Sequence, residues 1–176
     1  MPTMNLPTWI TFSRLLGVPI VLIALLNPTD AHRWISVVAF VLFAGTDWLD
    51  GYLARKLNQV TELGKFLDPL VDKLLVMAPL MALVGMGLVP AWGVFLILAR
   101  ELTISGWRVN PAFQKGAVPG AGMWGKVKTA VQIVAIAILL APLSAPWPFI
   151  GVVLFWVAVA LTWISGLLYL RPAKAV

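Results

Sequence analysis

Apolar stretches of roughly twenty residues, each the length that crosses a bilayer as a helix, follow one another along almost the whole chain. Only short clusters of Pro, Gly and charge separate them. They run over 8–26, 34–54, 67–87, 90–109, 127–143 and 147–170, and their length and punctuation read as helical spans. The fold class they predict is all-α, a polytopic membrane protein with six transmembrane helices in one bundle. A chain of 176 residues has room for little else, so residues 1–176 are expected to form a single membrane domain. Composition agrees: 61% of residues are hydrophobic, 11% are charged and the mean hydropathy is +0.94, outside the range of soluble domains.

The punctuation supplies the turns. Asn27 to Asp30, Met86 to Pro90 and Ala141 to Pro146 are rich in the residues that close tight connections, whereas 110–124, with prolines, glycines and little hydrophobic continuity, reads as an interfacial loop or short surface helix. The N-terminal stretch lacks a basic segment and a small-residue cleavage site, so it reads as a retained first helix. Positive charge is one-sided. Arg55, Lys56 and Lys65 lie between spans two and three, Arg108, Lys115, Lys126 and Lys128 between four and five, and Arg171 and Lys174 follow the last span; the opposite connections hold only Arg33. The positive-inside rule then predicts a multi-pass protein of the inner (cytoplasmic) membrane with both termini and both basic loops in the cytoplasm. The net charge of +6 does not point to nucleic acid, because the cations sit at helix ends and not on a soluble face.

The chain has seven acidic residues, and four are aspartates in one short stretch: Asp47, Asp50, Asp68 and Asp72. On a helix Asp47 and Asp50 are i, i+3 neighbours, and Asp68 and Asp72 are i, i+4 neighbours, so each pair shares a face. The two spans are joined by a short loop and must run antiparallel, which sets the pairs opposite each other at one depth. A carboxylate in the membrane costs about 2.5 kcal/mol or more, so four together require compensation. With no cysteine in the chain and His32 remote, oxygen-only ligation suits Mg²⁺ or Mn²⁺, with two ions sharing ligands as in phosphoryl chemistry. Gly51 and Ala54 lie on the Asp47/Asp50 face, and Gly64 lies one turn before Asp68; small residues there let a bulky ligand approach the backbone. Arg55 offers a fork of donors to a phosphate. Charge pattern alone leaves a second reading open, an ion pathway in a divalent-cation transporter, although such a pathway would not need the Gly, Ala and Arg positions.

Asp47-Trp48-Leu49-Asp50-Gly51-Tyr52-Leu53-Ala54-Arg55, eight further residues, then Gly64-Lys65-Phe66-Leu67-Asp68-Pro69-Leu70-Val71-Asp72 resembles the signature of the CDP-alcohol phosphotransferase family, D-x-x-D-G-x-x-A-R-x8-G-x3-D-x3-D, at every fixed position. The resemblance implies transfer of a phosphatidyl group from CDP-diacylglycerol to a small alcohol. It implies two divalent ions on Asp47, Asp50, Asp68 and Asp72, a CDP cradle of Gly51, Ala54, Arg55 and Gly64, and Asp72 as the catalytic base. It also implies a homodimer and membrane lipids as surroundings.

Softer similarities favour the branch of that family whose acceptor is sn-glycerol 3-phosphate. They are the segments Asn5 to Arg14, Asp72 to Leu75, Ala99 to Arg108 and Gly125 to Ala130. An acceptor with a phosphate dianion needs cations beyond those that serve CDP. Arg100, inside an apolar span, with Arg108, Lys126 and Lys128 at a similar level, is the predicted acceptor-phosphate site, and Glu101 is placed to orient one of these cations. Positive-inside topology alone also accounts for Lys126 and Lys128. Acceptors of the cardiolipin-synthase or inositol-phosphate type stay open, while the cations argue against serine. Arg14 either snorkels to the surface or, with Asn5 and Thr8, reaches the CDP group. His32 reads as an ordinary loop residue, and Trp9, Trp34, Trp92 and Trp147 as an interfacial belt.

Overall fold

The computed structural model describes the backbone of residues 6–57, 62–109 and 123–170, and the side chains of 13–46, 70–107 and 123–168. Among these residues there are six helices and no strand: α1 (Leu6–Leu26), α2 (Asp30–Leu57), α3 (Glu62–Gly85), α4 (Ala91–Val109), α5 (Met123–Leu140) and α6 (Trp147–Leu170). Each predicted span coincides with a helix. Most of the expected interfacial loop, 110–122, lies outside the described residues.

The helix ends follow local chemistry. α2 starts at Asp30, earlier than its apolar run, because Thr29 caps it: the His32 amide donates to Thr29 Oγ1 at 3.3 Å, and the Asp30 carboxylate sits in the first turn at the positive end of the helix dipole. His32 is therefore helical, not a loop residue, with ring Nδ1 2.7 Å from the Asn27 carbonyl. α3 stops in a Schellman turn. The Leu88 amide donates to Leu83 O and the Gly87 amide to Val84 O, both at 3.0 Å, and Gly87 has φ 70°, a conformation glycine adopts without a Cβ clash.

α5 ends at Leu140, short of the expected 143, with Pro142 just beyond. Its last carbonyls go to a side chain from another helix. Arg33 of α2 donates from Nε to Leu140 O at 2.8 Å and from Nη2 to Leu139 O at 3.1 Å and Ala141 O at 3.2 Å. Arg33, the one Arg or Lys among the described residues at this end of the bundle, is thus a C-terminal cap, placed where the α5 dipole is negative. Hydrogen bonds from a charged donor contribute about 1.5–3 kcal/mol, so Arg33→Ala is expected to lower the thermal midpoint in detergent by about 3 to 12 °C. A midpoint unchanged within about 1 °C would show that the cap contributes nothing.

α1 packs on α2 and α3, α5 packs along α6, and α4 lies against α6 and α3. The core at the capped end is apolar, with Val21, Phe40, Leu80, Leu83, Ile97, Ile136, Leu140 and Phe155 buried. Outside, the pattern of a soluble protein is reversed: Leu16, Ile23, Leu42, Phe95, Phe149 and Leu167 are exposed, while Arg14, Ser36, Lys128, Gln132, Thr162 and Ser165 are buried. So extensive an apolar exterior belongs to a membrane protein. Among the described residues, α5 over Met123–Leu140 and α6 over Trp147–Leu168 are long and apolar enough to cross a bilayer. Trp34, Trp92 and Trp147 are exposed at the start of α2, α4 and α6, one end of the bundle, and Trp107 and Trp124 at the other, as an aromatic belt requires.

Candidate active site

Ionised and polar side chains gather at the end opposite the Arg33 cap. At 1.5 Å of rise per residue, Arg14 of α1, Asp72 of α3, Arg100 and Glu101 of α4, Gln132 of α5 and Thr162 of α6 all lie about 12 to 15 Å from that end of their helices. The odd helices start there and the even ones finish there, so residues far apart in sequence share one layer.

On one side of the layer Arg14 donates from Nη1 to Asp72 Oδ1 and forms an ion pair across α1 and α3. Arg14 is 0% exposed and Asp72 41%. Arg14 therefore does not snorkel. It lies inside the bundle and holds the carboxylate expected to be the base, which places α1 in the site.

The other side is a node on α4, α5 and α6. Glu101 Oε1 accepts from Arg100 Nη1 at 3.0 Å and from Lys128 Nζ at 2.5 Å. Arg100 Nη2 donates to Ser165 Oγ at 2.9 Å, and the Ser165 hydroxyl in turn donates to Thr162 O at 3.0 Å. The Arg100 side chain lies across Gly166, where a Cβ would come within 2.9 Å of Nε, so the absence of a side chain there gives the guanidinium its place. Side-chain exposure is 12% for Arg100, 19% for Glu101 and 9% for Lys128. Two poorly solvated cations thus share one carboxylate, and Lys73, the residue after Asp72, is within electrostatic reach of Glu101. The node, with two cations on one carboxylate, keeps an excess of positive charge.

Of the other predicted residues, Lys126 is exposed on the first turn of α5, away from the face that carries Lys128. Asp47, Asp50, Gly51, Ala54 and Arg55 lie on the last turns of α2, Gly64 and Asp68 on the first turns of α3, Thr8 on α1 and Arg108 on α4, all towards the end that holds the polar layer; their side chains lie outside the described residues, as does Asn5 altogether. Among the described residues no group of three or more acidic or His side chains is assembled for a metal. Sequence reasoning missed Ser165 and Gln132, although both are polar residues inside apolar spans, Gln132 at the depth of Arg100 and Ser165 about one turn nearer the same end, a signal that could have found them. It cited Lys73 only as part of a similar segment.

Helices with an apolar exterior and a charged layer gathered at one end define an all-helical membrane protein with polar chemistry built into its interior. The family model described as CDP-alcohol phosphatidyltransferase matches residues 4–164, and the chain belongs to that family. A relative in Bacillus subtilis named CDP-diacylglycerol–glycerol-3-phosphate 3-phosphatidyltransferase is 44% identical, over 92% of this chain and 91% of the relative. Proteins of the same name in Rickettsia felis and Pseudomonas fluorescens are 36% and 39% identical, each over 97% of this chain and over 96% and 90% of their own length.

Proposed function

We propose that the protein transfers the phosphatidyl group of CDP-diacylglycerol to sn-glycerol 3-phosphate, giving phosphatidylglycerol phosphate and CMP. The supporting observation is the positive excess of the Arg100–Glu101–Lys128 node at the depth of Asp72, since a dianionic acceptor needs cations that the donor does not use. The names of the relatives agree with this acceptor. The chain acts as a single domain of six spans, as a homodimer surrounded by membrane lipids, with its termini and site at the cytoplasmic face of the inner membrane.

A half-exposed carboxylate whose neighbours include no thiol or imidazole suits a hard cation. Mg²⁺ or Mn²⁺ held by Asp47, Asp50, Asp68 and Asp72 would supply neutralisation of the pyrophosphate and of the charge that develops on the entering and leaving oxygens. The chain's own residues do the rest. Gly51, Ala54 and Gly64 leave room for the CDP moiety, and Asn5, Thr8 and Arg55 bind it. Arg100 and Lys128, with Arg108 on the last turn of α4, hold the acceptor phosphate, and Lys126, exposed on another face of α5, is left to the positive-inside pattern. Asp72, oriented by Arg14, accepts the proton of the glycerol 1-hydroxyl as that oxygen bonds to the phosphorus bearing diacylglycerol; the bond from that phosphorus to the oxygen of CMP breaks, and CMP departs.

Purified protein with CDP-diacylglycerol, Mg²⁺ and a panel of acceptors tests this by CMP release. Glycerol 3-phosphate should be the effective acceptor, ahead of glycerol, serine and inositol phosphate, whereas no release with any alcohol would leave an ion-transport role. Within the same assay Arg100→Ala is expected to raise the acceptor KM about tenfold or more with little change in the KM for CDP-diacylglycerol, because a charge-assisted hydrogen bond contributes about 1.5–3 kcal/mol. Arg55→Ala should show the opposite bias. General misfolding would damage both parameters in both variants. An unchanged acceptor KM in Arg100→Ala, or equal use of glycerol, would overturn the choice of acceptor.

A further inference from the structure

Glu101 is the only acidic side chain of α4, and a single one of its oxygens receives both Arg100 and Lys128. The two cations come from α4 and α5, which both pack on α3 and α6, and Arg100 is fixed at its other nitrogen by Ser165 of α6. Without the carboxylate, two like charges with side-chain exposures of 12% and 9% would face each other in a poorly solvated space, where repulsion is weakly screened. The flexible one, Lys128, has four rotatable bonds with which to turn away. Arg100 has none of that freedom, since it is hemmed by Gly166 and Ser165.

We infer that Glu101 is a positioning residue for acceptor selection: it holds Arg100 and Lys128 at a fixed separation, so that the pair binds a phosphate monoester without first reorganising. This rests on the acceptor site proposed above and deepens it. Glu101 touches neither the donor nor the reacting atoms. Its carboxylate lowers the total positive charge while raising the order of what remains, and for a pair this buried the order outweighs the charge, because reorganisation is paid at each binding event.

The test is a cycle of Glu101→Gln, Lys128→Met and the double variant, with KM for glycerol 3-phosphate, KM for CDP-diacylglycerol, kcat and thermal midpoint measured for each. Glu101→Gln is expected to raise the acceptor KM about tenfold, corresponding to about 1.4 kcal/mol, with the donor KM unchanged and kcat at saturating acceptor within about twofold. In the Lys128→Met background the same change should add less than about twofold, since the partner it positions is gone. Glu101→Asp keeps the charge but shortens the reach; it too should raise the acceptor KM, and it carries the test should Glu101→Gln not fold. A carboxylate acting only through its field would leave Glu101→Asp like the parent, and one that merely competes with phosphate for the cations would give Glu101→Gln a lower acceptor KM. Either result overturns the inference while the acceptor site stands, provided that Arg100→Ala and Lys128→Met raise the acceptor KM. If those two variants leave it unchanged, the acceptor site itself fails and the inference fails with it. Fully additive effects in the cycle, with equal changes in both KM values, would reduce Glu101 to a structural tie between α4 and α5.

Discussion

Asp47→Asn, Asp50→Asn and Asp68→Asn are each expected to lower CMP release more than about 100-fold, because loss of a partner one step removed from a metal already costs about 10–100-fold and these residues are proposed as direct ligands. Asn has nearly the size and shape of Asp and keeps one carbonyl oxygen, so packing of α2 and α3 is left as it was. What changes is charge. The four aspartates are proposed to meet one or two divalent ions with four negative charges, and each substitution removes one of them together with the ability to bridge two ions. The same loss relieves like-charge repulsion in the metal-free protein, since carboxylates one turn apart on a helix repel and each costs about 2.5 kcal/mol or more at membrane depth. The variants should therefore fold at least as well as the parent without metal. They should also lose the rise in thermal midpoint that Mg²⁺ gives the parent, because a ligand stabilises only the state that binds it. Thermal midpoints with and without Mg²⁺, read beside CMP release, separate a lost ligand from a lost fold. Near-normal turnover of any one variant at saturating Mg²⁺ would remove that residue from the metal site.

Much of the fold was legible because a bilayer simplifies the rules. An apolar run of about twenty residues has few alternatives to a helix, so the order of six helices followed from counting, and α6 was placed at Trp147–Leu170 as predicted. The ends were less legible, being set by single contacts. Thr29 extends α2 by a cap within its own segment, which a sequence can suggest, but Arg33 closes α5 from 107 residues away, which it cannot. The same distinction runs through the site. The signature aspartates are local and could be read from spacing, and Arg100 announced itself as a charge in an apolar span. The pairing of Arg14 with Asp72 across 58 residues and the anchoring of Arg100 to Ser165 across 65 depend on which helix faces which, so neither could be read. Sequence left Arg14 between surface and ligand. Packing of α1 against α3 decided for the interior.

Asp72→Asn is expected to separate binding from turnover. A general base contributes about 10²–10⁴-fold, so kcat for CMP release should fall by that amount. The dissociation constant for CDP-diacylglycerol, measured in the presence of Mg²⁺, should move far less, since proton abstraction follows assembly of donor, metal and acceptor. The pairing with Arg14 adds a structural cost that must be separated from the chemical one. Removing one partner of a fully buried ion pair costs about 3–5 kcal/mol, but Asp72 is 41% exposed and Asn retains an oxygen that can accept from Arg14 Nη1. The loss of stability should therefore fall well below that range, visible as a lowered thermal midpoint with the protein still folded at assay temperature. Arg14→Lys provides the control. It keeps a cation beside Asp72 but loses the rigid fork that orients the carboxylate, so it should lower the midpoint to a similar degree while reducing kcat less than Asp72→Asn does. If Asp72→Asn instead weakens donor binding as much as it slows turnover, Asp72 is chiefly a ligand, and the proton of the acceptor hydroxyl must be taken elsewhere.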